Sequence, residues 1–185
     1  MPTYVAFLRA INLGATRKFP RDAIRDAVES AGGTDVATHI NTGNVRLQSP
    51  LRSRQRVEEV LEAAFRADRG FEVPTIVLTP DELCEVAADA ERFAADHPGH
   101  AGGAHYVSLL KHEPTPEAIA ALEAASTDGE VARVGRRAVH LLLGPAYHQA
   151  RVTNTVVERH LGTATNRNLN VIRTLTEKWC GRRPS

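Results

Sequence analysis

The sequence predicts an α+β protein made of two ferredoxin-like halves of βαββα type. Three observations carry that prediction. Apolar periodicity over residues 1–78 switches in the order β-α-β-β-α-β; a Gly-, Pro- and His-rich stretch without periodicity follows; strand, helix, hairpin and helix then return, each about 95 to 102 residues after its counterpart. The first half is expected over 1–93 with βαββαβ order, a linker over 94–103, and the second half over 104–185, where the chain ends in a helix instead of a strand.

"TYVAFLR" is rich in strand formers and makes the first strand. A helix opens at Pro20, whose fixed φ suits a first turn, and Ile24, Ala27, Val28 and Ala31 share one face before Gly32 and Gly33 stop it. "DVATHI" and "NVRLQS" are extended runs around "NTGN", where Gly43 in a left-handed conformation closes a bulged hairpin. Val57, Val60, Leu61, Ala64 and Phe65 form a helical stripe ending at Gly70, and "VPTIVL" is the next strand. Thr79, Pro80 and Glu82 are spaced as a capping box that starts a third helix.

Beyond the linker come the strand "HYVSLL", a helix opened by Pro116 with Ile119 and Leu122 inward, and a hairpin of "EVARV" and "AVHLLL" around Gly135 and Arg136. A helix near residue 151 follows. In "NRNLNVIRTLTEKW" the residues Leu169, Ile172, Leu175 and Trp179 share a face, so the last element is helical. No residue-level repeat is visible between the halves.

Bulk properties exclude several classes. A 185-residue chain buries roughly 70% of its unfolded surface and needs no covalent staple. No apolar run approaches the ~20 residues of a membrane span, and "MPTYVAFLRA" lacks the basic region and cleavage site of a signal peptide, so the expected location is cytoplasmic. Cys84 and Cys180 belong to no C-x-x-C pair and are expected to be buried small hydrophobes. With 23 Lys and Arg against 22 Asp and Glu, only a local basic patch can meet nucleic acid.

Three polar motifs stand out. "FLRAINLGATRKFP" leads a strand through a Gly-containing turn to a helix, a geometry that presents N–H groups to an anion, with Arg9, Arg17 and Lys18 as complementary charge; it matches no named phosphate-binding loop and otherwise reads as a solvated turn. In "INTGNV" the amides of Asn41 and Asn44 serve the turn or line a polar pocket. "TATNRNLN" puts Thr165 or Asn166 at a helix N-cap with Arg167 and Asn168 in the first turn, where a cation is unfavourable unless an anion sits beside it. His97, His100 and His105 have no metal-ligand spacing and read as linker residues, and Arg52, Arg54 and Arg56 as a solvated face. No nucleophile elbow, zinc-protease or RNA-recognition signature is present.

Taken together, "YVAFLRAINLGATRK", "INTGNV", "VTNTVVERHLG" and "ATNRNLNVIRTL" resemble, in order, a bacterial family of unknown function, DUF family 1697. That family's pattern has an L-R-G-I-N-V-G-G segment, a Y-I-N-S-G-N-V segment and an A-T-T-R-N-W segment. Arg9, Asn12, Gly14, Asn41, Gly43, Asn44, Thr165, Arg167 and Asn168 fit it; Ala10 and Ala15 replace glycines, Thr42 a serine, Asn166 a threonine and Leu169 a tryptophan. The resemblance implies a two-part α+β fold with a ferredoxin-like first half and implies no activity.

The expected function is binding of an anionic, phosphate-bearing ligand, a nucleotide or nucleic acid. Arg9 and Arg167 are charge anchors, Asn12, Asn41, Asn44 and Asn168 orienting amides, Lys18 a peripheral contact, and Gly14, Gly43 and Thr165 members of the same motifs. No cofactor or metal is called for. Two rivals remain: an enzyme on a phosphorylated or nucleotide substrate with His39 or His148 moving protons, and purely architectural polar clusters.

Overall fold

The computed structural model describes residues 1–100 and 102–181; Ala101 of the expected linker and residues 182–185 of the expected second half lie outside the described residues. The chain divides into two compact units, Met1–Pro80 and Asp81–Ser185. Each contains a four-stranded antiparallel sheet, and the whole is the α+β fold with two ferredoxin-like halves.

The first unit runs β1 (Thr3–Leu8), α1 (Arg21–Ser30), β2 (Thr34–His39), β3 (Asn44–Gln48), α2 (Arg54–Arg69) and β4 (Thr75–Leu78), with sheet order β2-β3-β1-β4. Both helices bury one stripe against one sheet face: Ile24, Ala27 and Val28 from α1, Val57, Leu61 and Phe65 from α2, with Tyr4, Ala6, Leu8, Val45, Leu47 and Val77 below. Phe19, which closes the opening loop, packs edge-on against Phe65 with ring centroids 5.3 Å apart. Ser53 caps α2 by accepting from Arg56 N, and Gly70 ends it in a left-handed conformation.

The second unit runs α3 (Pro80–Asp96), β5 (Ala104–Leu110), α4 (Pro116–Glu123), β6 (Glu130–Val134), β7 (Ala138–Leu143), α5 (Asn154–Leu161), β8 (Ala164–Asn168) and α6 (Leu169–Trp179), with sheet order β6-β7-β5-β8. The order of the first unit is repeated in full, which corrects one expectation. Residues 164–168, read as a helix cap and first turn, are a strand: Thr165 stands opposite Leu109 and Arg167 opposite Val107. Pairing along β5 outweighs the local capping signal, and the cap moves to Asn168, whose Oδ1 accepts from Asn170 N at 2.9 Å.

The change of unit falls at Pro80 and not within 94–103, because α3 lies on the second sheet. Phe93 packs on the His140 ring with centroids 5.1 Å apart, and Glu91 pairs with Arg173 of α6 at 2.7 Å. Helices therefore cover this sheet on both faces: Leu122 of α4 and Val157 and Leu161 of α5 meet Val139, Leu141 and Leu143, while α3 meets His140. All six residues of β7 are buried as a result.

A residue-level repeat that the sequence hides is visible in space. Glu58 of α2 accepts from Val77 N of the edge strand β4 at 2.9 Å, and Glu158 of α5 accepts from Ala164 N of the edge strand β8 at 3.1 Å. Glu62 adds a bond from Thr75 N at 2.7 Å. In both units a helix carboxylate satisfies strand N–H groups that have no strand beyond them.

Candidate functional site

The opening loop of the first unit is held by its own polar groups. Asn12 Oδ1 accepts from Phe19 N at 2.8 Å, Asn12 Nδ2 donates to Phe19 O at 3.0 Å, and the backbone closes inside them with Asn12 N donating to Arg17 O at 3.0 Å. The same Nδ2 donates to Asn41 O at 2.7 Å, which ties the loop to the hairpin turn. Arg17 turns inward: Nε donates to Ala10 O at 2.6 Å, Nη2 donates to Glu72 O, and the guanidinium lies 4.6 Å above the Phe71 ring.

The hairpin turn is equally determined. Gly43 has φ +77°, and a Cβ there would stand 2.6 Å from Leu8 Cβ and 2.8 Å from Ile11 Cδ1. Its carbonyl accepts from Leu8 N at 2.8 Å, so hairpin and loop meet backbone to backbone. Asn44 is buried and its Nδ2 donates to His39 O at 3.1 Å and Thr42 Oγ1 at 2.9 Å. Four non-glycine residues of the two segments, Ala10, Asn12, Arg17 and Ile40, have φ between 50° and 56°. Left-handed backbone at Ala, Arg and β-branched Ile is costly and persists only when its surroundings over-determine it.

These segments bring together Arg9, Asn12, Gly14, Lys18, Asn41, Gly43 and Asn44. Arg9 is half-buried, with its N donating to Pro74 O at 2.8 Å, whereas Gly14, Lys18 and Asn41 are exposed. Residues 1–21 contain Arg9, Arg17, Lys18 and Arg21 and no Asp or Glu, and 39–49 contain no acid either. The nearby Glu72 carboxylate is engaged by Arg66 at 2.9 Å. Among the described residues no carboxylate pairs with Arg17 or Lys18. Beside these cations Leu13 and Ile40 are 61% and 39% exposed, an apolar fringe on a basic rim.

Thr165, Arg167 and Asn168 belong to the second unit. Strand alternation divides their motif: Thr165 and Arg167 are buried on one side of β8, and Asn166 points to the other side with Tyr106 and Ser108. Arg167 Nη1 donates to Thr165 Oγ1 at 2.9 Å and Asn166 O at 2.8 Å, and burial lowers its pKa to about 10, so it stays protonated at neutral pH.

Sequence reasoning missed two features. Arg17 braces carbonyls instead of facing solvent, for which its distance from Glu72 along the chain leaves no local signal. His105 and His140 form a pair, Nε2 to Nδ1 at 3.2 Å, inside the second sheet. A histidine within the apolar run "AVHLLL" was the available sign of it. Among the described residues no group of three or more His, Cys, Asp or Glu is placed to hold a metal ion. Cys84 and Cys180, expected to be buried, are half-buried free thiols that meet each other; burial, then the Cys84 thiol, pushes Cys180 up to about 12. No helix among the described residues is long and apolar enough to cross a membrane.

The family model described as "Protein of unknown function (DUF1697)" matches residues 1–140. That span takes in both loops of the basic rim and stops before β8. A conserved bacterial protein from Streptococcus pneumoniae has the same fold, with a TM-score of 0.75 at 19% identity, covering 96% of this chain and 98% of its own. No curated protein matches the chain.

Proposed function

For a chain that belongs to the family described as a protein of unknown function (DUF1697), we propose that the loop pair of the first unit binds a phosphate-bearing ligand, a nucleotide or nucleic acid. The observation that carries the reading is a strained, cross-braced rim whose loop, residues 9–21, contains four basic residues and no Asp or Glu. Arg9 and Lys18 are the charge anchors, Asn41 and the backbone at Gly14 complete the rim, and Asn12, Gly43 and Asn44 hold the shape. Leu13 and Ile40 give the sugar or base an apolar contact, which favours a nucleotide over inorganic phosphate. Thr165, Arg167 and Asn168 are not asked to touch this ligand.

Thermal unfolding in low salt tests the reading with pyrophosphate, ATP and a short oligonucleotide. A ligand at about 100 times its dissociation constant stabilises by about 2.7 kcal/mol. The doubly substituted Arg9→Ala, Lys18→Ala protein should lose that stabilisation, and added salt should weaken it. Absence of any shift, or a shift indifferent to both substitutions, overturns the proposal. A second reading, that the amides are architectural, is favoured by the Asn12 and Asn44 bonds to backbone carbonyls. It is compatible with ligand binding at Arg9 and Lys18 and predicts loss of stability on Asn12→Ala with no ligand present.

A further inference from the structure

Three of the four sheet edges meet side-chain acceptors. At β4, Thr75 N donates to Glu62 at 2.7 Å and Val77 N to Glu58 at 2.9 Å. At β8, Ala164 N donates to Glu158 at 3.1 Å. At β6, Ala132 N donates to Ser126 Oγ and Val134 N to Glu123, both at 3.0 Å. The fourth edge, β2, differs: among the described residues no side chain or loop bonds the outer backbone groups of Val36 or Thr38.

Hydrogen-bond alternation identifies those groups. Leu8 N donates to Gly43 O at 2.8 Å, so along the β1–β3 ladder Gly43, Val45 and Leu47 turn their backbone groups to β1. Asn44 and Arg46 therefore turn theirs to β2, where they stand opposite His39 and Ala37. Val36 and Thr38 alternate with these and aim N–H and C=O out of the sheet. The bulge between Thr34 and Ala37, with Asp35 at φ 50°, ends the regular edge just before Val36.

The occupant that fits is the same strand. Two copies of β2 paired antiparallel, with Ala37 facing Ala37 on a two-fold axis, set Val36 of each opposite Thr38 of the other, and each of these pairs exchanges two backbone bonds. Ala37 is small enough for the close approach at a pair without such bonds. Charge agrees with that register. Asp35, bonded to Arg46 at 2.8 Å, comes beside His39 of the second copy. The same axis lays α1, which packs on β2, antiparallel to its copy. Exposed Arg21 opens that helix and exposed Asp26 and Glu29 lie toward its end, none of them in an ion pair among the described residues, so antiparallel copies bring Arg21 near Glu29. We infer that β2 is the docking edge for a second copy of this chain, which joins two four-stranded sheets into one. Four backbone bonds and a helix contact make a small interface, so association depends on concentration.

Sedimentation analysis of the full chain from about 5 µM to about 500 µM makes the test, in phosphate-free buffer so that ligands of the basic rim play no part. The mass should rise from 20.1 kDa toward twice that value, and amide exchange at Val36 and Thr38 should slow as it does. Thr38→Pro, which removes an outward N–H and keeps the β3 ladder, should remain a monomer. Glu29→Arg should weaken association at least about tenfold, and Arg21→Glu added to it should restore association. Should Thr38→Pro fold poorly by circular dichroism, that exposed charge pair carries the test. A mass of 20.1 kDa throughout overturns the inference and leaves the edge to a strand of another protein. A dimer whose Val36 and Thr38 amides exchange freely, or association indifferent to both Thr38→Pro and Glu29→Arg, overturns it as well.

Discussion

Glu58 and Glu158 perform the same task in the two units: each reaches from its helix to accept an N–H of the adjoining edge strand, Val77 at 2.9 Å and Ala164 at 3.1 Å. Glu58 is 4% exposed, so its carboxylate is held inside the fold by what it bonds. Glu58→Ala strands a buried N–H and should cost about 1–3 kcal/mol in urea unfolding, with Val77 losing amide-exchange protection. A loss below about 0.5 kcal/mol would show that water replaces the carboxylate.

The two left-handed glycines of the basic rim should respond differently to alanine. At Gly14, φ is +63° and nothing lies within 4 Å of an added Cβ, so Gly14→Ala costs only the backbone strain, about 1–2 kcal/mol. Gly43→Ala adds overlaps at 2.6 and 2.8 Å with Leu8 and Ile11 and should cost about 2–4 kcal/mol in total. Equal losses at the two sites would mean that Leu8 and Ile11 yield freely.

Ala10 and Ile40 hold φ of 55° and 50° without being glycine. Relief of left-handed strain, about 1–2 kcal/mol, exceeds the added freedom of the unfolded chain, about 0.4–1 kcal/mol, so Ala10→Gly should raise stability slightly. Ile40→Asn should do the same on the exposed turn. If binding at the rim depends on its preset shape, both variants bind phosphate ligands more weakly despite melting later.

Acid should weaken the second unit before the first. Burial lowers the pKa of His140 to about 3 and that of His105 to about 4, in each case the leading cause, with Arg173 adding to the effect at His105. Below the unfolded value of about 6.5 the unfolded chain binds protons that these folded imidazoles refuse. Stability is therefore full above pH 6.5 and falls as pH drops toward 4, by at most about 1.4 kcal/mol per pH unit for each histidine. Denaturant midpoints at pH 7.5, 6 and 4.5 measure the slope, and His140→Phe should flatten it.

The helical stripes, the Gly43 hairpin and the duplicated order were readable because each leaves a local period or turn residue in the chain. The strand "ATNRN" was not, since its buried side carries Thr165 and Arg167 instead of apolar residues and its Thr165 and Asn166 imitate a helix cap. Which sheet α3 would cover has no local signature, although the unbroken apolar run of β7 marks a strand covered on both faces. At the rim the amides were legible as turn chemistry. Their partners lie in segments distant along the chain, Asn41 for Asn12 and Glu72 for Arg17, and only folding joins them.

Asn168 ends β8 and caps α6, with no loop between strand and helix. Mechanically this junction has no slack. A displacement of Asn166 is therefore felt two residues on, where α6 begins, and that helix is tied to α3 through Arg173 and Glu91.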